Sequence, residues 1–379
     1  MISINRKAVR AAGGTETDEF AAKIKSVTSS ITVGAVFLYD TRNDSDPSWR
    51  SRCQGLSWFD ETLNTATRGG RREFPSVALI VADNVSDTET LTIYDLDDPA
   101  MPLWMQFTVT TQASPYYDFW RDGRDVTSIF ALNGRLYFGT TETANAQVGL
   151  KVVDFVEDRL SNRSIGSSSE WNGYFDANVA NRNSATKVFL GNTFTAIAHQ
   201  TVNDVAATVL EGAELGALGL PIPTVCCCTN GGVSVIHPNG SVYDITSSYS
   251  SSYNFAKKLS IDGNILAFDM DSTGDSRDGW WFDLRTLYAD DTVSGGSGNP
   301  GGLGSFSKTG ESGDIIFVGN NVSALAKDAI GTEAGLSVYK RNDGNPEESA
   351  VAYVTSSYNT GYLLGDIRGA FLMGDRTAD

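Results

Sequence analysis

The stretch that most constrains the fold runs from Ser128 to Phe155, SIFALNGRLYFGTTETANAQVGLKVVDF. It reads as three short strands: SIFAL, a turn at Asn133-Gly134, RLYFGT, a polar loop and GLKVVDF. Asn-Gly supplies the positive φ values of a tight hairpin turn, and bulky residues alternate on either side of it. Such a meander cannot bury its own faces, so it requires neighbours of the same kind.

The same grammar recurs along the chain. SITVGAVFLYDT and SWRSRCQGLSWF read as strands, DETLNTATRGGRREF as a polar helix or loop, and SVALIVA, LTIYDL and PLWMQFTV as three further strands. IGSSSEWNGYFDANVANRNSATKVFLGNTF reads as a long polar connection. Beyond it, TVCCCTNGGVSVIHPNGSVYDITS carries two Asn-Gly turns in succession. No segment sustains a helical period, which sets α/β folds aside. The expected fold is all-β: a single β-propeller of about six irregular blades, with five or seven as alternatives. The rival is a pair of packed β-sandwiches. The C-terminal GYLLGDIRGAFL is expected to close the ring by completing the incomplete first unit at residues 31–55. The domain division expected is an N-terminal arm over residues 1–30, free or helical and suited to docking on another subunit, followed by the propeller over 31–379.

Composition narrows the function classes. A net charge of −17 argues against partners that present phosphate, nucleic acid and anionic membrane alike. No apolar run approaches a membrane span, and MISINRKAVRAAGG lacks the apolar core of a secretory signal, so synthesis in a cytoplasm without membrane insertion is expected. Cys53 and the run Cys226, Cys227, Cys228 have no metal-ligand spacing, and neighbours in a strand face opposite ways. They read as small buried residues in a central strand.

Two loops could bind something. DMDSTGDSRDG places Asp269, Asp271, Thr273 and Asp275 at alternate positions with Gly274 at the bend, the donor pattern of a calcium loop. Arg277 and Trp280 stand where two further ligands belong, so a solvated acidic hairpin competes with calcium, and no other cofactor is implied. SPYYDFWRDGRD sets Tyr116, Tyr117 and Trp120 beside Arg121, which suits stacking on a sugar ring or a protein contact; the alternative is packing between blades. Catalysis finds no constellation. Neither His199 nor His237 has a nucleophile or carboxylate at a telling spacing, and Asp97-Asp98 and Asp290-Asp291 are adjacent pairs that cannot face each other across a substrate. No catalytic residues are expected.

Three segments carry a resemblance. SWRSRCQGLSWFDETLNTATRGGRREFPSVALIVAD followed by LTIYDLDDPAMPLWMQF resembles the start of propeller-type tail proteins of tailed bacteriophages, marine ones in particular. PIPTVCCCTNGGVSVIHPNGSVYDI resembles their later blades and GYLLGDIRGAF their closing segment. The resemblance implies a virion structural protein of the tail fibre, spike or adsorption apparatus, with other tail proteins and further copies of itself as partners. Arg6, Lys7 and Arg10 would anchor such an arm. A free-standing module for host-surface glycans is the alternative, and a polysaccharide-degrading enzyme the third reading.

Overall fold

The computed structural model describes residues 24–29, 31–85, 88–109, 119–120, 123–141, 148–165, 172–184, 188–190, 193–247, 255–271, 277–293, 302–307, 315–316, 322–326, 329–332, 335–340, 350–355 and 367–372. These hold 25 strands, a single helical turn at 24–28 and short 3-10 turns. The chain is all-β. Its strands form five sheets, four to six strands each, built largely from consecutive antiparallel strands, which is the blade construction of a β-propeller. About six blades are expected from the sequence; five sheets lie among the described residues.

Two compact units divide the chain, residues 2–225 with 236–242 and residues 226–235 with 243–379. In the first, β1 (Val33–Asp40), β2 (Val77–Asp83), β3 (Thr90–Asp95) and β4 (Leu103–Thr108) form a sheet in that order. A second sheet takes β5 (Val126–Leu132), β6 (Arg135–Thr140), β7 (Leu150–Asp154), β8 (Arg159–Arg163), β9 (Gly173–Asp176) and β10 (Val188–Phe189). β11 (Val202–Thr208) also belongs to this unit. The meander expected at 128–155 is present as β5, β6 and β7, with Asn133 and Gly134 at φ 51° and 71°. IGSSSEWNGYFDANVANRNSATKVFLGNTF does more than connect: it supplies β9 and β10 to the sheet edge.

β12 (Thr224–Thr229), β13 (Gly232–Ile236) and β14 (Val242–Ser247) follow at the division, and β14 pairs in parallel with β18 (Asp291–Val293). Cys226, Cys227 and Cys228 are buried in β12, as the sequence implies. In the second unit β15 (Ala256–Asp262), β16 (Ile265–Asp271), β17 (Arg277–Asp283), β19 (Gly302–Ser307) and β20 (Ile315–Ile316) make one sheet. β21 (Val322–Ala326), β22 (Ala329–Thr332), β23 (Gly335–Lys340), β24 (Ala350–Thr355) and β25 (Ile367–Leu372) make another.

Two expectations need correcting. Among the described residues the C-terminal strand does not complete the first sheet: β25 pairs with β24, and the first sheet draws its four strands from residues 33–108. SWRSRCQGLSWF is not a strand but a 3-10 segment, Pro47–Arg52, and turns. Asp46 caps it by accepting the Ser48 N–H at 3.0 Å, and Pro47 has the φ of a first helical position. The place of a second strand goes to the apolar run at Val77–Asp83, which buries more.

Curling back in this way delivers Trp49 and Trp58 to the core of the first unit, where both are fully buried with Phe74, Trp104 and Phe155. Phe74 lies 4.6 Å from Trp104 and 5.1 Å from Phe155, centre to centre, and Trp58 lies 5.6 Å from each of the same two rings. Edge and tilted contacts of this kind add about 0.5–1.5 kcal/mol per pair beyond area burial. The other face of β2 is covered from within the expected arm: Ile24, in the turn at 24–28, packs with Val77, Leu79 and Val81. Arg6, Lys7 and Arg10 lie outside the described residues.

Candidate functional site

The turn that starts β6 is a junction. Asn133 is fully buried; its Oδ1 accepts the Ser45 N–H at 2.9 Å and its Nδ2 donates to Pro221 O at 2.9 Å. Its own N–H goes to Asp44 Oδ1 at 2.9 Å, while Asp44 Oδ2 accepts from the Tyr39 hydroxyl at 2.6 Å and Trp49 Nε1 at 2.8 Å. Gly134 donates to the Tyr39 oxygen at 2.9 Å, and a Cβ there would meet Val156 Cγ2 at 2.5 Å. Burial pushes the Asp44 carboxyl above its ordinary pKa, against the pull of those three donors. These bonds tie the β1 side of the unit to the β6 meander.

One residue further on, the sheet opens onto a cleft of about 480 Å³. Strand alternation explains its walls. Leu136, Phe138, Val153 and Leu160 face the aromatic core, so their neighbours Arg135, Tyr137, Val152, Asp154, Arg159 and Ser161 line the cleft on the opposite face. Register sets them in rows: Arg135 opposite Asp154 opposite Arg159, then Tyr137 opposite Val152 opposite Ser161 opposite Tyr174. Leu150 and Arg163 form a third row. Residues 193–195, 222–223 and the His237–Ser241 turn complete the rim. That turn is fixed by His237 N–H to Ser241 O at 2.9 Å and by Gly240 at φ 86°.

Its electrostatics are set by arginine and carboxylate. Arg135, only 5% exposed, donates from Nε to Asp154 Oδ2 at 2.7 Å and lies 3.6 Å from Glu157, while its Nη1 has no hydrogen-bond partner among the described residues. Burial works against the Arg135 charge, but Asp154 and Glu157 outweigh it and hold the pKa above its ordinary value. Burial also pushes the Tyr137 hydroxyl up, with Asp154 adding to it and Arg135 opposing, so the phenol stays protonated. Asp154 is itself fixed, its Oδ1 accepting the backbone N–H groups of Val156 and Glu157 at 2.9 and 2.8 Å. Arg163 donates to Thr195 O at 3.0 Å and lies 4.3 Å over the Phe194 ring. Arg159 lies 5.1 Å over Tyr174 and 4.0 Å from Glu157. Tyr174 and Phe194 meet edge to face at 4.8 Å.

The sequence-derived candidates fall elsewhere. Trp120 is a core residue, 2% exposed: its ring packs on Phe138 at 5.6 Å and its Nε1 donates to Arg124 O at 2.8 Å. Being apolar in body and satisfied at its one donor, it is unavailable for stacking on a ligand. Tyr116, Tyr117 and Arg121 lie outside the described residues. Asp269 is not in a loop but fully buried in β16, opposite Gly279, and accepts the Lys258 N–H. Pairing of β16 with β17 runs out to Asp271 opposite Arg277, which puts Asp269 two positions inside the ladder. Thr273 and Asp275 lie outside the described residues. Among the described residues no group of three His, Cys, Asp or Glu side chains is placed to hold a metal. What the sequence reading missed is the arginine cleft, whose signal is the alternation Arg159, Ser161, Arg163 in β8 opposite Asp154.

Comparison with protein-family models and with curated proteins gave no match. Among solved structures, the chain is similar to BBS1N in its complex with ARL6DN, soaked with lead, at 11% identity over 80% of this chain and 77% of that one, with a TM-score of 0.29. It is similar also to the WD40 domain of Toxoplasma gondii coronin, at 11% identity over 91% and 78%, with a TM-score of 0.25. Likenesses this slight carry no functional argument.

Proposed function

We propose that this chain is a structural protein of a phage tail, attached through its N-terminal segment and presenting a β-propeller in the host-adsorption apparatus. The observation that supports the reading is where the resembling residues lie. Within SWRSRCQGLSWFDETLNTATRGGRREFPSVALIVAD, Trp49, Cys53, Trp58 and Phe74 are fully buried, and the apolar residues of β2 build the sheet between the two apolar clusters. The resemblance therefore rests on side chains that determine packing rather than on a surface motif.

The test follows from Ile24. Deleting residues 1–30 would strip the cover from β2, so the informative deletion is residues 1–22, which leaves Ile24 in place. The expected result is that the full chain co-sediments with assembled particles and the shortened chain folds but does not. A full-length chain that never joins a particle contradicts the reading. The alternative of a free-standing glycan-binding module draws its support from the arginine cleft.

A further inference from the structure

The cleft on the β6–β9 face combines features that select a ligand. It gathers Arg135, Arg159 and Arg163 in a chain whose net charge is −17. Arg135 is more than nine-tenths buried, with its Nη1 donor unmet among the described residues, so the cleft wall keeps a positive group that its own neighbours do not fully satisfy. Arg159 presents its guanidinium to solvent: its side chain is 56% exposed, lies over the Tyr174 ring at 5.1 Å and meets Glu157 at 4.0 Å, which leaves N–H donors open to a ligand. Beside these donors stand acceptors, the Asp154 and Glu157 carboxylates, which suit the hydroxyl protons of a sugar ring. The volume of about 480 Å³ is also far larger than an inorganic anion needs and suits one or two sugar rings.

A second cleft of about 500 Å³ lies alongside, and Arg159 and Tyr174 belong to both, forming a ridge between them. A chain of rings can cross that ridge, whereas a single small ion has no use for it. We infer that the paired clefts bind a carboxylate-bearing oligosaccharide, with Arg159 taking the carboxylate in a charge-assisted bond and the acidic side chains holding ring hydroxyls. The inference deepens the adsorption reading and rests on it for its biological sense.

Calorimetric titration of the full chain with trigalacturonate, glucuronate-containing disaccharide and sialyllactose, against their neutral counterparts and inorganic phosphate, tests it. At least one acidic sugar is expected to bind saturably and at least ~10-fold more tightly than its neutral counterpart, and Arg159→Ala to weaken it by about 10-fold, as loss of one charge-assisted bond implies. Arg159→Ala removes an exposed side chain, so circular dichroism should show it folded. Absence of binding by every acidic sugar, equal binding of neutral sugars, displacement by equimolar phosphate, or an unchanged Arg159→Ala affinity each overturns the inference. Particle co-sedimentation separates the two ideas. A chain that joins particles but binds no acidic sugar loses only this inference, and one that binds the sugar but joins no particle loses only the tail reading.

Discussion

Two polar clusters flank the start of β6, and they are built oppositely. In the Asp44–Asn133 junction each carboxylate oxygen of Asp44 and both ends of the Asn133 amide have a partner within 3.1 Å, and the groups are closed off from solvent. In the Arg135 cleft a buried guanidinium keeps an unmet donor, a second arginine reaches into solvent, and the space between them is open. Satisfied buried networks fix a fold, while half-satisfied ones are uphill unless something else completes them. The contrast suits the junction to folding and supports the binding inferred for the cleft.

Mutations can break that contrast. The largest effect is expected in the aromatic core that the junction positions: Trp58→Ala should lower stability by about 3–5 kcal/mol, read from urea denaturation. Asp44→Ala should follow at about 3 kcal/mol, because it leaves the Tyr39 hydroxyl, Trp49 Nε1 and the Asn133 N–H without their acceptor. Arg159→Ala should change stability by no more than about 0.5 kcal/mol. If it destabilises as much as Asp44→Ala, the cleft is structural after all.

A smaller, pH-dependent effect sharpens the picture. Burial raises the Asp97 carboxyl, but the Ser76 hydroxyl and backbone N–H, Arg71 and the Val77 N–H outweigh it and hold the pKa below its ordinary value. A depressed carboxyl stabilises the fold above its unfolded pKa of about 3.9, and that contribution is lost as pH falls through the folded value. Asp44 has the opposite sign: its raised pKa makes the folded state hold the proton more tightly, so its ionisation lowers stability as pH rises above about 4. Melting curves of wild type and Asp97→Asn should therefore differ at pH 6, begin to approach each other below about pH 4, and converge only below the depressed folded pKa of Asp97.

Much of the first unit was legible in the sequence. Asn133-Gly134 and the alternation around it define β5 and β6, and the unbroken run SVALIVA defines a strand buried on both faces. SWRSRCQGLSWF misleads because its bulky residues suit a strand. The signal that betrays it is Asp46-Pro47 just ahead of the run, a capping side chain followed by the residue suited to a first helical position. Trp120 misleads because an aromatic beside arginines looks like a binding loop until its one donor is seen bonded to Arg124 O. The cleft was hidden for another reason: its rows join residues from β6, β7, β8 and β9, and no local window contains a register. Only the run Arg159, Ser161, Arg163 pointed toward it, and alternation alone does not distinguish a solvated face from a site.

The division between junction and cleft is tested most directly by thermal melts of wild type, Arg159→Ala and Asp44→Asn, each with and without the tightest-binding acidic oligosaccharide. A ligand at 100 times its Kd should stabilise wild type by about 2.7 kcal/mol. The account predicts that Asp44→Asn melts lower but keeps the full ligand-induced shift, whereas Arg159→Ala melts like wild type and loses most of the shift. An Arg159→Ala protein that keeps the full shift, or an Asp44→Asn protein that melts like wild type and loses it, would contradict the account.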